Sequence, residues 1–233
     1  LGGPGPIPDG PVLPVDPIAA IKAGEFLRVP VLAANTRDEA KLFPTFLALT
    51  PALGGVSGRL VSDATLFNTQ FSYDPNAAPT VSIEQWIPAV YLPVATPVTG
   101  FNARTDLLNF IFFIASRDDV LGALRAQQND VWYYQFDWDE EPAPWNDIYG
   151  AAHAFDLPFV FGNFGPSLFS NVAFSRANRR GREELSEAMM KSLGAFARRG
   201  DPNVSSELGV HWPMWPSMLL FDATPGDKAI SVK

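Results

Sequence analysis

The run Val29-Pro-Val-Leu-Ala-Ala34 does most to limit how this chain can fold. It is too short for a typical helix, apolar at odd and even positions alike, and stopped by the polar stretch Asn35-Thr-Arg-Asp-Glu39. A strand with one wet face would alternate. A continuous apolar run suits a strand buried on both faces of a parallel sheet, with helices above and below. A second run of the same length, Val131-Trp-Tyr-Tyr-Gln-Phe136, is rich in the aromatic and β-branched residues that strands favour. Residues Met218–Asp222 and Ala229–Val232 read as two closing strands.

Helical patterns fill the intervals. Ala19 to Gly24 predicts a short helix stopped by its glycine, and Asp38 to about Leu53 a helical stretch broken at Pro44 and Pro51. Residues 60–104 read as short helices and long loops. Leu107 to Gln127 predicts one or two helices with Asp106 as N-cap. Arg182 to Arg199 is the clearest helix, ended by Gly200 and Pro202. This order gives an α/β fold over residues 1–233, a mostly parallel sheet flanked by helices, read as a single domain.

Composition excludes some functions. A net charge of −8 argues against a nucleic-acid partner, since phosphate binding needs clustered Lys and Arg. The absence of cysteine removes disulfides, thiolate catalysis and cysteine metal sites, and leaves the compartment open. No apolar run approaches the roughly 20 residues of a membrane span. The first residues, Leu1-Gly-Gly-Pro-Gly-Pro6, have neither an initiator Met nor the basic and apolar regions of a signal peptide. They read as an interior sequence exposed by cleavage, or as the start of an ordered fragment.

Two residues stand out chemically. Glu39 follows an apolar strand, and the sites of open α/β sheets gather at the carboxyl ends of strands. The plainer alternative is a solvated carboxylate, or an acid satisfying a helix N-terminus. His153 lies between a glycine and the apolar run Leu157-Pro-Phe-Val-Phe161, outside any charged loop. Imidazole moves protons near neutral pH, and a carboxylate on its far nitrogen fixes the tautomer. The alternative is a structural histidine bonded to backbone, the reading given to His211 beside Trp212. Asp156 is a rival orienting acid, ranked second because so close a neighbour rarely reaches the far ring nitrogen. Asp106, Asp118 and Asp119 read as helix-terminal or surface acids. Asp137 to Glu141 has the carboxylates to hold a hard cation but no EF-hand spacing, and reads as a solvated loop. Two distant histidines do not make a closed zinc site without scattered carboxylates.

An acid followed by a histidine is the second half of the order Ser…Asp/Glu…His found in α/β-hydrolases. The first half is not present. Gly55-Val56-Ser57-Gly58-Arg59 comes nearest to the G-x-S-x-G nucleophile elbow, but Arg59 stands where the strained turn has no room for a side chain. No HGGG-like run offers an oxyanion hole.

These segments together resemble the C-terminal half of the type-B carboxylesterases, the group that includes cholinesterases. Ile7-Pro-Asp-Gly-Pro-Val-Leu-Pro14 is similar to the family's P-x-x-D-G-x-x-x-P stretch. Gly24 through Glu39 is similar to G-x-x-x-x-V-P-V-L-x-G-x-x-x-D-E-G. The match resumes at Trp132-Tyr-Tyr-Gln-Phe136, at the histidine segment, at Phe196-Ala-Arg-Arg-Gly-Asp-Pro-Asn203, at Trp212-Pro213 and at Met218–Asp222. Ala40 and Ala154 stand where the family usually has glycine, and Asp156 where it often has Glu. Those departures bear on pocket shape more than on the triad.

The resemblance implies the C-terminal part of an α/β-hydrolase fold. Glu39 would be the triad acid and His153 the general base, 114 residues apart. It implies hydrolysis of a small-molecule ester through an acyl-enzyme, with no cofactor. The serine and oxyanion hole would come from an N-terminal nucleophile-bearing chain or portion, without which this chain is not expected to be an independent monomer. The aromatic stretch from Phe67 to Phe101 would supply core and, in part, pocket wall. Two other classes stay open: a non-catalytic cholinesterase-like binding or adhesion module, and an amidase or acylase using the same triad.

Overall fold

The computed structural model describes residues 9–10, 12–43, 63–167, 169–203 and 205–233. Four strands form one sheet in the order β1 (Val31–Thr36), β2 (Val131–Phe136), β3 (Leu219–Ala223), β4 (Lys228–Val232). β1, β2 and β3 run parallel, and β4 returns antiparallel to β3. Val31 pairs with Val131 and Thr36 with Phe136, so β1 and β2 end level with each other.

β2 is central, and its side chains sort by parity as a pleated strand requires. Trp132, Tyr134 and Phe136 enter one core with Trp145, Leu185, Met189, Trp212 and Phe221. Val131 and Tyr133 enter another with Leu121, Leu124 and Trp215. Covered on both faces, β2 is buried nearly throughout. β1 is only half-buried, contrary to its apolar pattern, because it stands at the end of the strand order with β2 on one side.

The helices are α1 (Pro17–Ala23), α2 (Asp63–Ser72), α3 (Phe101–Asn109), α4 (Ala115–Arg125), α5 (Trp145–Ile148), α6 (Leu157–Phe161), α7 (Ser170–Ala173), α8 (Arg179–Arg199) and α9 (Ser205–Leu208). Asp16 caps α1 by accepting from the Ala19 N–H, and Gly24 ends it at φ 79°, a left-handed position that favours glycine. α8 begins three residues before its expected start. Arg179–Glu183 and Arg180–Glu184 ion pairs line that first turn, and α8 packs on β3, β4 and α6.

The structure corrects two further expectations. Asp106 is not an N-cap: α3 starts at Phe101, with Gly100 at the cap, and Asp106 lies inside the helix. Phe101 is almost wholly buried, and that anchor sets the start of the helix. A π-helical turn, Phe110–Ile114, then joins α3 to α4. The 137–141 loop, in turn, is only partly solvated. Trp138 is fully buried against Phe159 and Phe174, and it draws Glu141 under with it. Burial pushes the Glu141 carboxyl well above its ordinary range.

Of the rings between Phe67 and Phe101, Tyr73, Trp86, Tyr91 and Phe101 join the core, whereas Phe67 and Phe71 are exposed. The Gly55–Arg59 segment, Pro44 and Pro51 lie outside the described residues. Among the described residues no helix is long and apolar enough to cross a membrane.

Candidate active site

The site forms where β1 and β2 end. The chain leaves β1 with the Arg37 N–H bonded to the Phe136 carbonyl, then turns through a single tight helical turn, Glu39–Lys41. That turn swings the Glu39 side chain inward, leaving it 5% exposed. Its Oε1 accepts from the Thr36 N–H at 2.9 Å and from Asn35 Nδ2 at 3.2 Å. Its Oε2 meets His153 Nδ1 at 2.5 Å. An ionised carboxylate only accepts, so Nδ1 carries the proton and Nε2 is the ring nitrogen left for chemistry.

Charges and burial act on the pair in opposing senses. Burial pushes the Glu39 carboxyl up, but the bonds from His153, Thr36 and Asn35 outweigh it and leave its pKa below the ordinary value. The hydrogen bond to Glu39 raises the His153 pKa; partial burial opposes this, while the charges of Glu39 and Asp156 add to it. The imidazole is 46% exposed. Phe43 and Phe113 lie against it, with ring centroids 5.5 and 6.0 Å away. Phe113 belongs to the π-helical turn, an irregularity that often marks functional sites.

Asp156 does not reach the imidazole as its hydrogen-bond partner. It stands at the N-cap position of α6 and accepts from the Tyr134 hydroxyl at 2.9 Å. Burial raises its pKa first of all. Ala154, directly after the histidine, sits at φ 67°, the left-handed region where a glycine would be unstrained. His211 is exposed beside the buried Trp212. Asp118 pairs with Arg117 at the surface. Among the described residues, no three His, Cys, Asp or Glu are grouped so as to hold a metal ion.

Asn35, Asp38, Phe43 and Phe113 are parts of the site that the sequence alone did not single out. Asn35 and Asp38 flank Glu39 within a few residues, a local signal that could have found them. Phe113 carries no such signal, since its place depends on how the turn between α3 and α4 packs beside the histidine loop.

A mostly parallel sheet with helices on both faces, and an acid meeting a histidine beyond its strand ends, is part of an α/β-hydrolase fold. The chain belongs to the carboxylesterase family, whose sequence model matches residues 3–224. It is 27% identical over 211 residues to para-nitrobenzyl esterase of Bacillus subtilis (strain 168), matching 90% of this chain and 37% of that protein. It is 24% identical over 234 residues to acetylcholinesterase 1 of Caenorhabditis briggsae, matching 91% of this chain and 34% of that protein. The chain thus spans about a third of the length of the curated relatives it matches. Carboxylesterase EST55 of Geobacillus stearothermophilus has the same fold over 98% of this chain and 43% of its own, with a TM-score of 0.58 at 24% identity.

Proposed function

We propose that this chain is part of a serine carboxylic-ester hydrolase, in which Glu39 is the triad acid and His153 the general base. The observation that carries the reading is the 2.5 Å contact between Glu39 Oε2 and His153 Nδ1 at the carboxyl ends of β1 and β2. The serine and oxyanion hole come from a nucleophile-bearing portion or chain. β1 ends the strand order among the described residues, and its outer side gives that portion a strand edge to pair with. Exposed Phe110, Ile111 and Phe112 give it an apolar surface.

The serine attacks the ester carbonyl while His153 Nε2 takes its proton, giving a tetrahedral intermediate and an imidazolium; the acyl-enzyme forms as the ester C–O bond breaks. His153 returns the proton to the leaving alcohol, then activates the water that releases the acid. Glu39 holds the ring and offsets the transient positive charge. Backbone N–H groups of the other portion stabilise the oxyanion. Phe43 and Phe113 pack beside the imidazole and help to fix its place.

The test is fluorophosphonate labelling of the assembled protein, followed by intact mass of every polypeptide present. The expected result is one label on the nucleophile-bearing portion, abolished by His153→Ala here. No label with that portion present would sink the hydrolase reading in favour of a binding module.

A further inference from the structure

Glu39 and His153 sit on segments that the sheet ladder does not join. The acid is on the turn after β1; the histidine comes 17 residues beyond the end of β2. What ties the two segments together is Asp38. Its N–H donates to the Ala151 carbonyl at 2.9 Å, and its Oδ2 accepts from the Ala151 N–H at 3.1 Å. Asp38 also forms an isolated parallel bridge with Ala152. Oδ2 accepts from Arg37 Nε at 3.1 Å and Nη2 at 2.9 Å, and Lys41 Nζ lies 3.4 Å from Oδ1. Asp38, Lys41, Ala151 and Ala152 are all buried.

We propose that Asp38 is a positioning residue: it latches the Gly150–His153 loop to the Glu39 turn and thereby holds the imidazole in register with its carboxylate. The proposal rests on the reading of Glu39 and His153 as the proton-handling pair. Asp38 and Glu39 are adjacent in the chain, and only Ala152 stands between Ala151 and His153. Any slack at the latch passes directly to the catalytic contact.

Two features set this apart from packing. A buried ion cluster is costly to desolvate, and apolar residues of similar volume often stabilise as well or better, so stability alone does not account for it. An apolar side chain cannot accept from the Ala151 N–H. Gly150 is the second feature: it sits at φ 52°, and a Cβ there would lie 2.7 Å from Asp38 Oδ2. The loop comes as close to the carboxylate as it does because residue 150 has no side chain.

The measurement is ester turnover together with NMR titration of His153, in the assembled protein carrying D38N or D38A. The charges acting on His153 are those of Glu39 and Asp156. Arg37 and Lys41 face Asp38 directly, and Asp106, Asp137 and Glu141 feel its charge from further off. D38N and D38A remove the same charge, so a His153 pKa lower in D38A than in D38N would report a loosened Glu39 contact. D38A should lower kcat about 10- to 100-fold, the scale of an ångström of misplacement, with KM within about twofold. It should also lower the His153 pKa below that in D38N. D38N keeps an acceptor oxygen and should fall between D38A and the parent.

A lower melting temperature with kcat unchanged and the His153 titration alike in D38A and D38N would overturn the proposal. If D38A does not fold, kcat of D38N against the parent carries the comparison; if neither folds, Asp38 is a structural residue and the proposal falls. Should the parent protein itself turn over no ester, the hydrolase reading fails, while the His153 titration still judges the latch.

Discussion

Replacing Glu39 by Gln keeps the shape of the site and removes its charge, and hydrogen bonding decides which way the new amide turns. Two donors, the Thr36 N–H and Asn35 Nδ2, point at Oε1, whereas Oε2 faces His153. Setting the amide NH₂ against both donors would leave them unsatisfied, at about 1–3 kcal/mol each. The amide oxygen of the E39Q variant therefore takes the Oε1 place, and its NH₂ faces His153 Nδ1. That nitrogen must now accept, so the ring proton moves to Nε2, where on the proposed mechanism it blocks uptake of the serine proton. A histidine in the wrong tautomer costs about 10⁴-fold in kcat, or about 5 kcal/mol of transition-state stabilisation at 1.36 kcal/mol per tenfold. Turnover of a p-nitrophenyl ester by the assembled protein gives the rate, and imidazole ¹⁵N shifts give the tautomer. A loss below about tenfold, or a proton still on Nδ1, would refute this account.

Three further outcomes follow from the same geometry. A left-handed Ala costs about 1–2 kcal/mol, and Gly loosens the unfolded chain by about 0.4–1, so Ala154→Gly should stabilise the protein by about 0.5 kcal/mol or more in urea unfolding. Trp138→Ala, by emptying a fully buried site against Phe159 and Phe174, should cost about 3–5 kcal/mol in the same assay. The difference in unfolding free energy between the parent and E39Q should depend on pH in a definite sense. The contribution of His153, whose pKa is raised, is complete below 6.5 and fades as pH climbs through the folded value. That of Glu39, whose pKa is lowered, is complete above 4.5 and fades as pH drops through its folded value. The difference should peak between those limits; a difference still growing above neutral pH would contradict it.

The sequence was most legible where one local rule decided the outcome. The apolar runs at 29–34 and 131–136 lie within two residues of β1 and β2, and Gly24 and Gly200 end their helices in the left-handed conformation. That Glu39 pairs with His153 was implied by the family resemblance; their order and flanks alone left a solvated carboxylate and a structural histidine open. Where long-range packing overrode a local signal, the pattern misled. Asp106 has the side chain of an N-cap, but the burial of Phe101 starts the helix earlier. Asp137–Glu141 has the composition of a wet loop, but Trp138 needs a pocket and pulls the loop in after it. β1 has the pattern of an interior strand, yet among the described residues it pairs with β2 alone.

The register of β1 on β2 also constrains how the site comes into being. Val31 meets Val131, one hundred residues later, and Glu39 meets His153 across a slightly longer span. Closing a loop of that length costs about 4 kcal/mol of chain entropy beyond the constant term. No nearby turn can bring the two residues together early. Contacts of such separation form slowly and as part of a larger assembly step. On that ground we expect the acid–histidine contact to form late in folding and to be lost when the first two strands part. A proton-transfer signal from His153 would thus double as a probe of whether the sheet has closed.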